Sequence, residues 1–439
     1  MNRIEINVDK VLGKIKPMHA VNNPPTAPQN FYQSYEKLQA ANIPYARLHD
    51  TGGPYGASVY VDIANVFPNF DADETLPQSY DFAFTDVLLK EMQKYGLKPF
   101  YRLGSTIENY HYIKSYNIYP PKDFAKWARI CEHIVRHYNE GWADGYRMDI
   151  EYWEIWNEPD NEPEIKDNPC WKGTKEQFFE LYEITSKHLK KCFPHLKIGG
   201  YASCGFYELT GTDVSSVANS TPRTEYFIEF FHEFLQYSEK HGSIIDFFSW
   251  HSYADVKNNV YYAKFARQKM NEYGYSDCEI VLNEWNPGRR LRGTQRDASE
   301  ILSMMIALQN TPTDMCMYYD AEMRSVYCGI FDPVSHGVFN AYYSFYIFGQ
   351  LYAMGQQVEC RVEGEDIYAI SAKDDDRVGV VIVNNSEKSK EIDIHIASLN
   401  VFNARVYLID EQHSFEEITL NSKTIFLNAY SILYLEFGR

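Results

Sequence analysis

The chain is 439 residues long, and its 60 acidic against 42 basic residues give a formal net charge of −18. So negative a balance disfavours nucleic acid, or any other polyanion, as a partner over the surface as a whole. The length exceeds what a single barrel ordinarily needs, which predicts a large domain with a smaller companion.

The opening segment MNRIEINVDK lacks the apolar stretch of a secretory leader, and no run approaches about 18 uninterrupted apolar residues. The expectation is a cytoplasmic protein without a membrane anchor, or a secreted or periplasmic one whose leader has been removed. Eight strand-like runs follow: IKPMHAV (15–21), IPYARLH (43–49), LKPFYRL (97–103), IEYWEIW (150–156), LKIGGYA (196–202), IIDFFSWHSY (244–253), EIVLNEW (279–285) and DMCMYYD (314–320). Helical periodicity fills the gaps between them. Phe124, Trp127, Ala128, Cys131, Ile134, Val135 and Tyr138 recur at steps of three and four, and 225–235 and 297–308 repeat that spacing. Eight such alternations predict a (β/α)8 TIM barrel over 11–353. Beyond 354 the texture becomes short, alternating runs separated by polar turns, which predicts an accessory β-sandwich over 354–439. The alternating RIEINVD at 3–9 is placed to add a strand to it, from a segment spanning 1–10.

Cysteines at 131, 170, 192, 204, 278, 316, 328 and 360 show no CxxC spacing, and several fall in apolar runs. They read as free buried thiols rather than a disulfide frame or a zinc site. The 36 Tyr and 26 Phe suit contact with sugar C–H faces, although a Tyr-rich core would use the same residues.

In a (β/α)8 barrel the site is built at the C-terminal ends of the strands. The fourth run ends in WEIWNEPD and the seventh in VLNEWNP, so Glu158 and Glu284 each close an apolar strand and each follows an Asn. Cleavage of an acetal needs a proton donor for the leaving oxygen and a carboxylate facing the developing oxocarbenium ion. Glu158 is the candidate acid/base, which requires a pKa raised by burial and by a second carboxylate. Glu284 is the candidate nucleophile, kept ionised by donors such as Arg47 and Tyr253. Asn157 is placed to donate to the hydroxyl beside the anomeric carbon. His49, Asp50, His251, Tyr253 and Trp285 are candidate substrate contacts, with turn or core roles as the plainer readings. His19 and Asn22, ending the first run, are weaker candidates. Glu154 reads as a partner for an interior arginine, Arg47 or Arg102. With no HxH pair or ligand-spaced His/Asp cluster at the strand ends, neither metal nor cofactor is expected.

WEIWNEPD and LNEWNP, with RLHD ending the second strand and HSY on the sixth, resemble glycoside hydrolase family 39, clan A retaining enzymes that include β-xylosidases and α-L-iduronidases. The resemblance covers most of the chain and implies a barrel joined to a β-sandwich. It implies Glu158 as acid/base, Glu284 as nucleophile, Asn157 at the 2-hydroxyl, and His251 and Tyr253 as subsite contacts. Two departures stand out. Asp50, followed by the glycine-rich TGGPYGAS, occupies a position where family β-xylosidases tend to have Gly. The loop NPGRRLRG places Arg289, Arg290 and Arg292 beyond Glu284, where they could meet a carboxylated sugar or pair with surface acids. The resulting expectation is a retaining, β-xylosidase-like enzyme acting on the end of an oligo- or polysaccharide. A uronidase or arabinosidase of the same family, or a catalytically silent sugar-binding protein, are the alternatives.

Overall fold

Strands that parallel pairing buries on both faces must be apolar throughout, and the eight runs form such a ring. A computed structural model of the chain describes residues 2–25, 33–51, 61–107, 116–212 and 223–438. After β1 (Asn2–Lys14), strands β2 (Ala20–Asn22), β3 (Tyr45–Leu48), β4 (Lys98–Leu103), β5 (Tyr152–Ile155), β6 (Lys197–Ser203), β7 (Phe247–Ser252), β8 (Glu279–Trp285) and β9 (Met315–Tyr318) run in sequence order. All neighbours are parallel, and β9 closes the barrel on β2 through Ala20–Met317 and Val21–Tyr318. Only the last residues of the 15–21 run are extended, because Pro17 interrupts the ladder. The outer layer comprises α1 (Ser34–Ala40), α2 (Ile63–Val66), α3 (Ala83–Lys94), α4 (Phe124–Asn139), α5 (Lys175–Cys192), α6 (Arg223–His241), α7 (Val256–Glu272), α8 (Gln295–Gln309) and α9 (Asn340–Met354). Their starts follow local chemistry. Asp123 accepts from the Lys126 amide ahead of α4, and Thr174 with Gln177 forms a reciprocal capping box ahead of α5.

The base of the barrel is plugged by Tyr45, Phe100, Tyr152, Phe247, Val281, Met315 and Met317. Because side chains alternate along a strand, the next inward positions above this apolar floor are Arg47, Glu154, Ser249 and Asn283, all fully buried. Their polarity, unusual for a core, prepares the site above.

The C-terminal module contains β10 (Gln356–Glu363), β11 (Ile367–Lys373), β12 (Arg377–Asn384), β13 (Lys390–Ala397), β14 (Arg405–Ile409), β15 (Ser414–Ile418), β16 (Thr424–Leu427) and β17 (Ile432–Gly438). They form one sheet in the order β15-β14-β17-β12-β11-β10-β1-β13-β16. The N-terminal run does join it: β1 lies antiparallel to β10 and parallel to β13, and extends to Lys14, four residues past the boundary read from sequence. The sheet curls so that Ile4, Ile6, Val380, Ile394, Val406, Ile425 and Leu435, from strands across its width, share one core. Its other face, with Ile370, Val381, Val383 and Ile432, joins the barrel's own core.

Candidate active site

Arg47, at the third residue of β3, organises the polar layer. Its Nε donates to Glu154 Oε2 at 2.7 Å, Nη2 to Asn157 Oδ1 at 2.7 Å and Nη1 to Asn22 Oδ1 at 3.2 Å, with Glu284 Oε2 3.5 Å from Nη1. Glu154 is completed by Ser249 Oγ at 2.6 Å and Asn283 Nδ2 at 2.5 Å. The interior partner of Glu154 is therefore Arg47; Arg102 pairs with Asp62 at 2.7 Å. Both guanidinium and carboxylate are fully buried, so neither charge is tolerable without the other.

Two local distortions aim the glutamates. Past β5, Trp156 and Glu158 take left-handed φ values of 76° and 47°, a backbone state that costs non-glycine residues about 1–3 kcal/mol and clusters at working sites. On β8 the register with β7 slips between Trp250 and His251, so that His251 faces Glu284 rather than Asn283. Such an irregularity re-aims side chains. Asn283 and Glu284 thereby both reach the interior network, and Trp285 turns outward. The expectation of Trp285 as a substrate contact is thus corrected: its indole is fully buried in the core, edge-on to Tyr318 at 5.5 Å.

Above the arginine, a pocket of about 180 Å³ is lined by His49, Glu158, His251, Tyr253 and Glu284. His251 bridges the two acids, with Nδ1 2.7 Å from Glu158 Oε1 and Nε2 3.5 Å from Glu284 Oε2. Tyr253 donates its hydroxyl to Glu284 Oε1 at 2.5 Å. Asn161 Nδ2 donates to Glu158 Oε2 at 2.7 Å. With its carbonyl oxygen held by Arg47, Asn157 keeps a buried Nδ2 that has no acceptor among the described residues.

The protonation pattern differs from the simple expectation. Burial raises the Glu158 carboxyl, but the His251 hydrogen bond and charge, with Asn161 and Arg223, outweigh it and hold the group below its ordinary value. For Glu284, burial and the neighbouring Glu158 outweigh His251, Arg47 and Tyr253, leaving it raised. His251 is raised too, since the two carboxylates overcome the burial that would neutralise it. The expected upward shift of Glu158 is thus reversed in the free site because an imidazolium sits between the carboxylates. The cluster titrates as one unit.

Asp50 accepts from the hydroxyls of Thr106 and Tyr319 and lies 3.3 Å from His49 Nε2, so it holds two pocket residues and is not itself among the described lining residues. His49 does line the pocket, and burial followed by Arg47 and Arg102 drives its pKa well below the usual value, so it stands there neutral. His19 lies elsewhere, on the Asn42 carbonyl at 2.9 Å, while Asn22 belongs to the Arg47 network. The TGGPYGAS segment lies, beyond Thr51, outside the described residues. Among the described residues, no ion pair forms to Arg289, Arg290 or Arg292. Arg292 donates to the Met323 carbonyl at 3.1 Å, and Arg289 lies over the pocket residue Tyr327, 6.0 Å from its ring centre.

Tyr207, Arg223, Phe227 and Tyr327 also line the pocket from segments beyond the strand ends, and Tyr319 does so from the very end of the eighth strand-like run, where it was not singled out. Asp160 was legible as the last letter of WEIWNEPD. It accepts from Ser203 Oγ at 2.8 Å and from the Cys204 amide, and burial first of all pushes it up to about 7. Glu158, His251 and Glu284 offer donor atoms all within 4.8 Å of one another. A cation there would compete with the Arg47 guanidinium for Glu284. A wider cleft of about 510 Å³ on the C-terminal sheet is lined by Glu5, Glu359, Arg361 and His395 and, among the described residues, by no Phe, Tyr or Trp.

Residues 33–320, a span that contains both glutamates, match the model of glycosyl hydrolases family 39. The chain belongs to that family. A β-xylosidase of Geobacillus stearothermophilus is 26% identical over 234 residues, 51% of this chain and 39% of that protein. A β-xylosidase of Caldicellulosiruptor saccharolyticus is 24% identical over 397 residues, 81% of this chain and 74% of that one. The chain thus spans well under half the length of the first relative and about three quarters of the second. A glucosidase of Croceicoccus marinus superposes with a TM-score of 0.73 at 19% identity, covering 100% of this chain and 99% of that one. Family 39 membership therefore rests on the barrel, and the likeness of fold extends through the C-terminal sheet. Among the described residues of this family 39 chain, no helix is long and apolar enough to cross a membrane.

Proposed function

We propose that this family 39 protein is a retaining exo-glycosidase acting on neutral β-xyloside ends of oligo- or polysaccharides, with Glu284 as nucleophile and Glu158 as acid/base. The observation that carries this reading is the His251-bridged pair of carboxylates with oxygens within 4.8 Å. That approach of the nearest oxygens is compatible with the roughly 5–5.5 Å separation between carboxyl groups of retaining enzymes. The roles rest on the contacts rather than on the net shifts, which run the other way in the free site: Glu284 receives hydrogen-bond donors from Tyr253 and Arg47, while Glu158 is joined to His251, which can supply the proton that the lowered Glu158 carboxyl does not hold.

In the first step Glu284 attacks the anomeric carbon while the leaving oxygen takes a proton from Glu158, which has received it from His251 Nδ1. Asn157 Nδ2 meets the adjacent hydroxyl as positive charge develops. In the second step Glu158 takes a proton from water, which displaces Glu284 from the sugar.

This proton economy predicts a pH profile. His251 holds its proton to above its ordinary value of about 6.5, and the cluster loses that proton as pH rises through the raised value. The alkaline limb of kcat/KM therefore reports His251. Replacing His251 with Asn removes the titrating group, and the limb moves; an unmoved limb would exclude His251 as the reservoir.

Xyloside as substrate is supported by the names of two relatives, and a second reading by Arg289 beside Tyr327. Rates on matched aryl β-xyloside, β-glucoside, α-arabinoside and uronide substrates test both. The xyloside is expected to be turned over fastest, with the ratio of uronide to xyloside unchanged in Arg289→Ala. A uronide preference that falls by about tenfold or more in that variant, the loss of one charge-assisted contact, would establish the acidic-sugar reading instead.

A further inference from the structure

Away from the barrel mouth, the seam between α4 and α5 gathers three metal-ligating groups of different chemistry. His188 and Cys192 stand at i and i+4 on α5, so their side chains share a face, and Glu132 meets them from α4. Nε2 of His188 is 2.6 Å from Glu132 Oε2 and 3.9 Å from Cys192 Sγ. One donor atom from each of the three residues lies within 4.8 Å of the other two. A tetrahedral ion bound at about 2.3 Å to sulfur and about 2.0 Å to nitrogen and oxygen holds such atoms roughly 3.3–3.6 Å apart. Opening the Glu–His contact and closing the His–Cys one, each by less than an ångström, brings those two pairs to that spacing, and the Glu132 oxygen and Cys192 Sγ already lie within 4.8 Å of each other.

The surroundings favour a site over a chance ion pair. Arg136 takes only Oε1 of Glu132, at 2.8 Å, which fixes the carboxylate and leaves Oε2 turned to His188. The guanidinium is itself retained by Glu140 and lies over the Phe193 ring, so it does not occupy the point where the three donors meet. Cys192 is only partly buried, unlike most of the cysteines, and is accessible to an ion from solvent.

We propose that Glu132, His188 and Cys192 bind a thiophilic divalent cation of the zinc class, with water as the fourth ligand. On binding, the Cys192 S–H bond breaks, its proton leaves to solvent, and the sulfur lone pair forms the bond to the metal. The proton held between His188 Nε2 and Glu132 Oε2 passes to solvent while Nδ1 of His188 takes one up or keeps its own, so that the neutral ring gives its Nε2 lone pair and Glu132 gives Oε2. Without metal, burial and Glu132 raise the thiol's pKa, a balance that the dication reverses. The site is a clamp between helices rather than part of the hydrolytic machinery. α5 runs antiparallel to the strands, and Cys192 ends it shortly before β6 begins at Lys197, at the end of the barrel opposite the mouth.

Cobalt(II) added to the full-length, chelator-treated protein tests this directly. About one equivalent should bind with a thiolate-to-cobalt charge-transfer band and the visible bands of a four-coordinate ion, and zinc should bleach both. Cys192→Ser should abolish the charge-transfer band while glycoside hydrolysis, the check on its folding, stays at the wild-type rate. Glu132→Gln should weaken cobalt binding by about ten- to a hundredfold. No charge-transfer band in excess cobalt, a band that survives Cys192→Ser, or undiminished affinity in Glu132→Gln would overturn the assignment.

Discussion

Glu284→Ala is expected to lose on the order of 10⁴- to 10⁶-fold in kcat, the scale seen when a covalent nucleophile is removed from a working cluster. Added azide should fill the vacated space and return the glycosyl azide of inverted configuration, because one displacement then replaces two. Glu158→Ala should behave differently. Aryl substrates with good leaving groups need no proton in the first step, so glycosylation persists and the intermediate accumulates; azide then speeds its removal and gives the product of retained configuration. The two glutamates face one another across His251 with oxygens within 4.8 Å, so their roles cannot be told apart by proximity alone. Azide products of swapped configuration would reverse the assignment while leaving the pair intact.

The second large effect concerns Arg47. Replacement by Leu strands the Glu154 carboxylate in the barrel interior, where Ser249 and Asn283 can solvate but not neutralise it. Breaking one side of a buried pair costs about 3–5 kcal/mol, so the midpoint of chemical denaturation should fall markedly. Turnover should drop as well, by roughly 10²- to 10³-fold, through the loss of a donor to Glu284 and of the contact that orients Asn157. The paired substitution Arg47→Leu with Glu154→Leu separates the two effects. Removing both charges should recover most of the stability and none of the activity. Wild-type activity in the single variant would show that Asn157 and Glu284 need no support from the arginine. Lys at this position keeps the charge but cannot span Glu154, Asn157, Asn22 and Glu284 at once, so it should rescue stability better than rate.

The barrel was legible because parallel strands buried on both faces must be apolar runs, and the two glutamates because each interrupts such a run at its polar end. The same alternation placed Glu154 beside an interior arginine but left Arg47 and Arg102 open, because both point inward from neighbouring strands; their actual partners, Glu154 and Asp62, are set by the packing. Trp285 was misread for an equally physical cause. Alternation carried past Asn283 does not foresee the irregularity that turns Glu284 inward and Trp285 into the core. The sign of the Glu158 shift was missed because it depends on how near His251 stands, 2.7 Å, and strand-end position does not encode that distance. Two strands of the C-terminal sheet carry weak sequence signals, for different reasons. β10 begins directly after Gly355 at the end of the apolar α9, where the change of period is masked, and β15 is too polar and exposed to show alternation. Pocket residues such as Arg223 and Tyr327 come from outside the strands, in segments whose course composition does not reveal.

A covalent glycosyl–enzyme is the species that the proposed double displacement cannot do without. Incubation of the wild-type chain with an activated 2-deoxy-2-fluoro xyloside, which slows hydrolysis of the intermediate more than its formation, should add one sugar to the intact mass, and peptide mapping should find it on Glu284. Time-dependent loss of activity should parallel that labelling. Absence of any adduct while the compound is turned over, or an adduct on Glu158 in place of Glu284, would contradict the account.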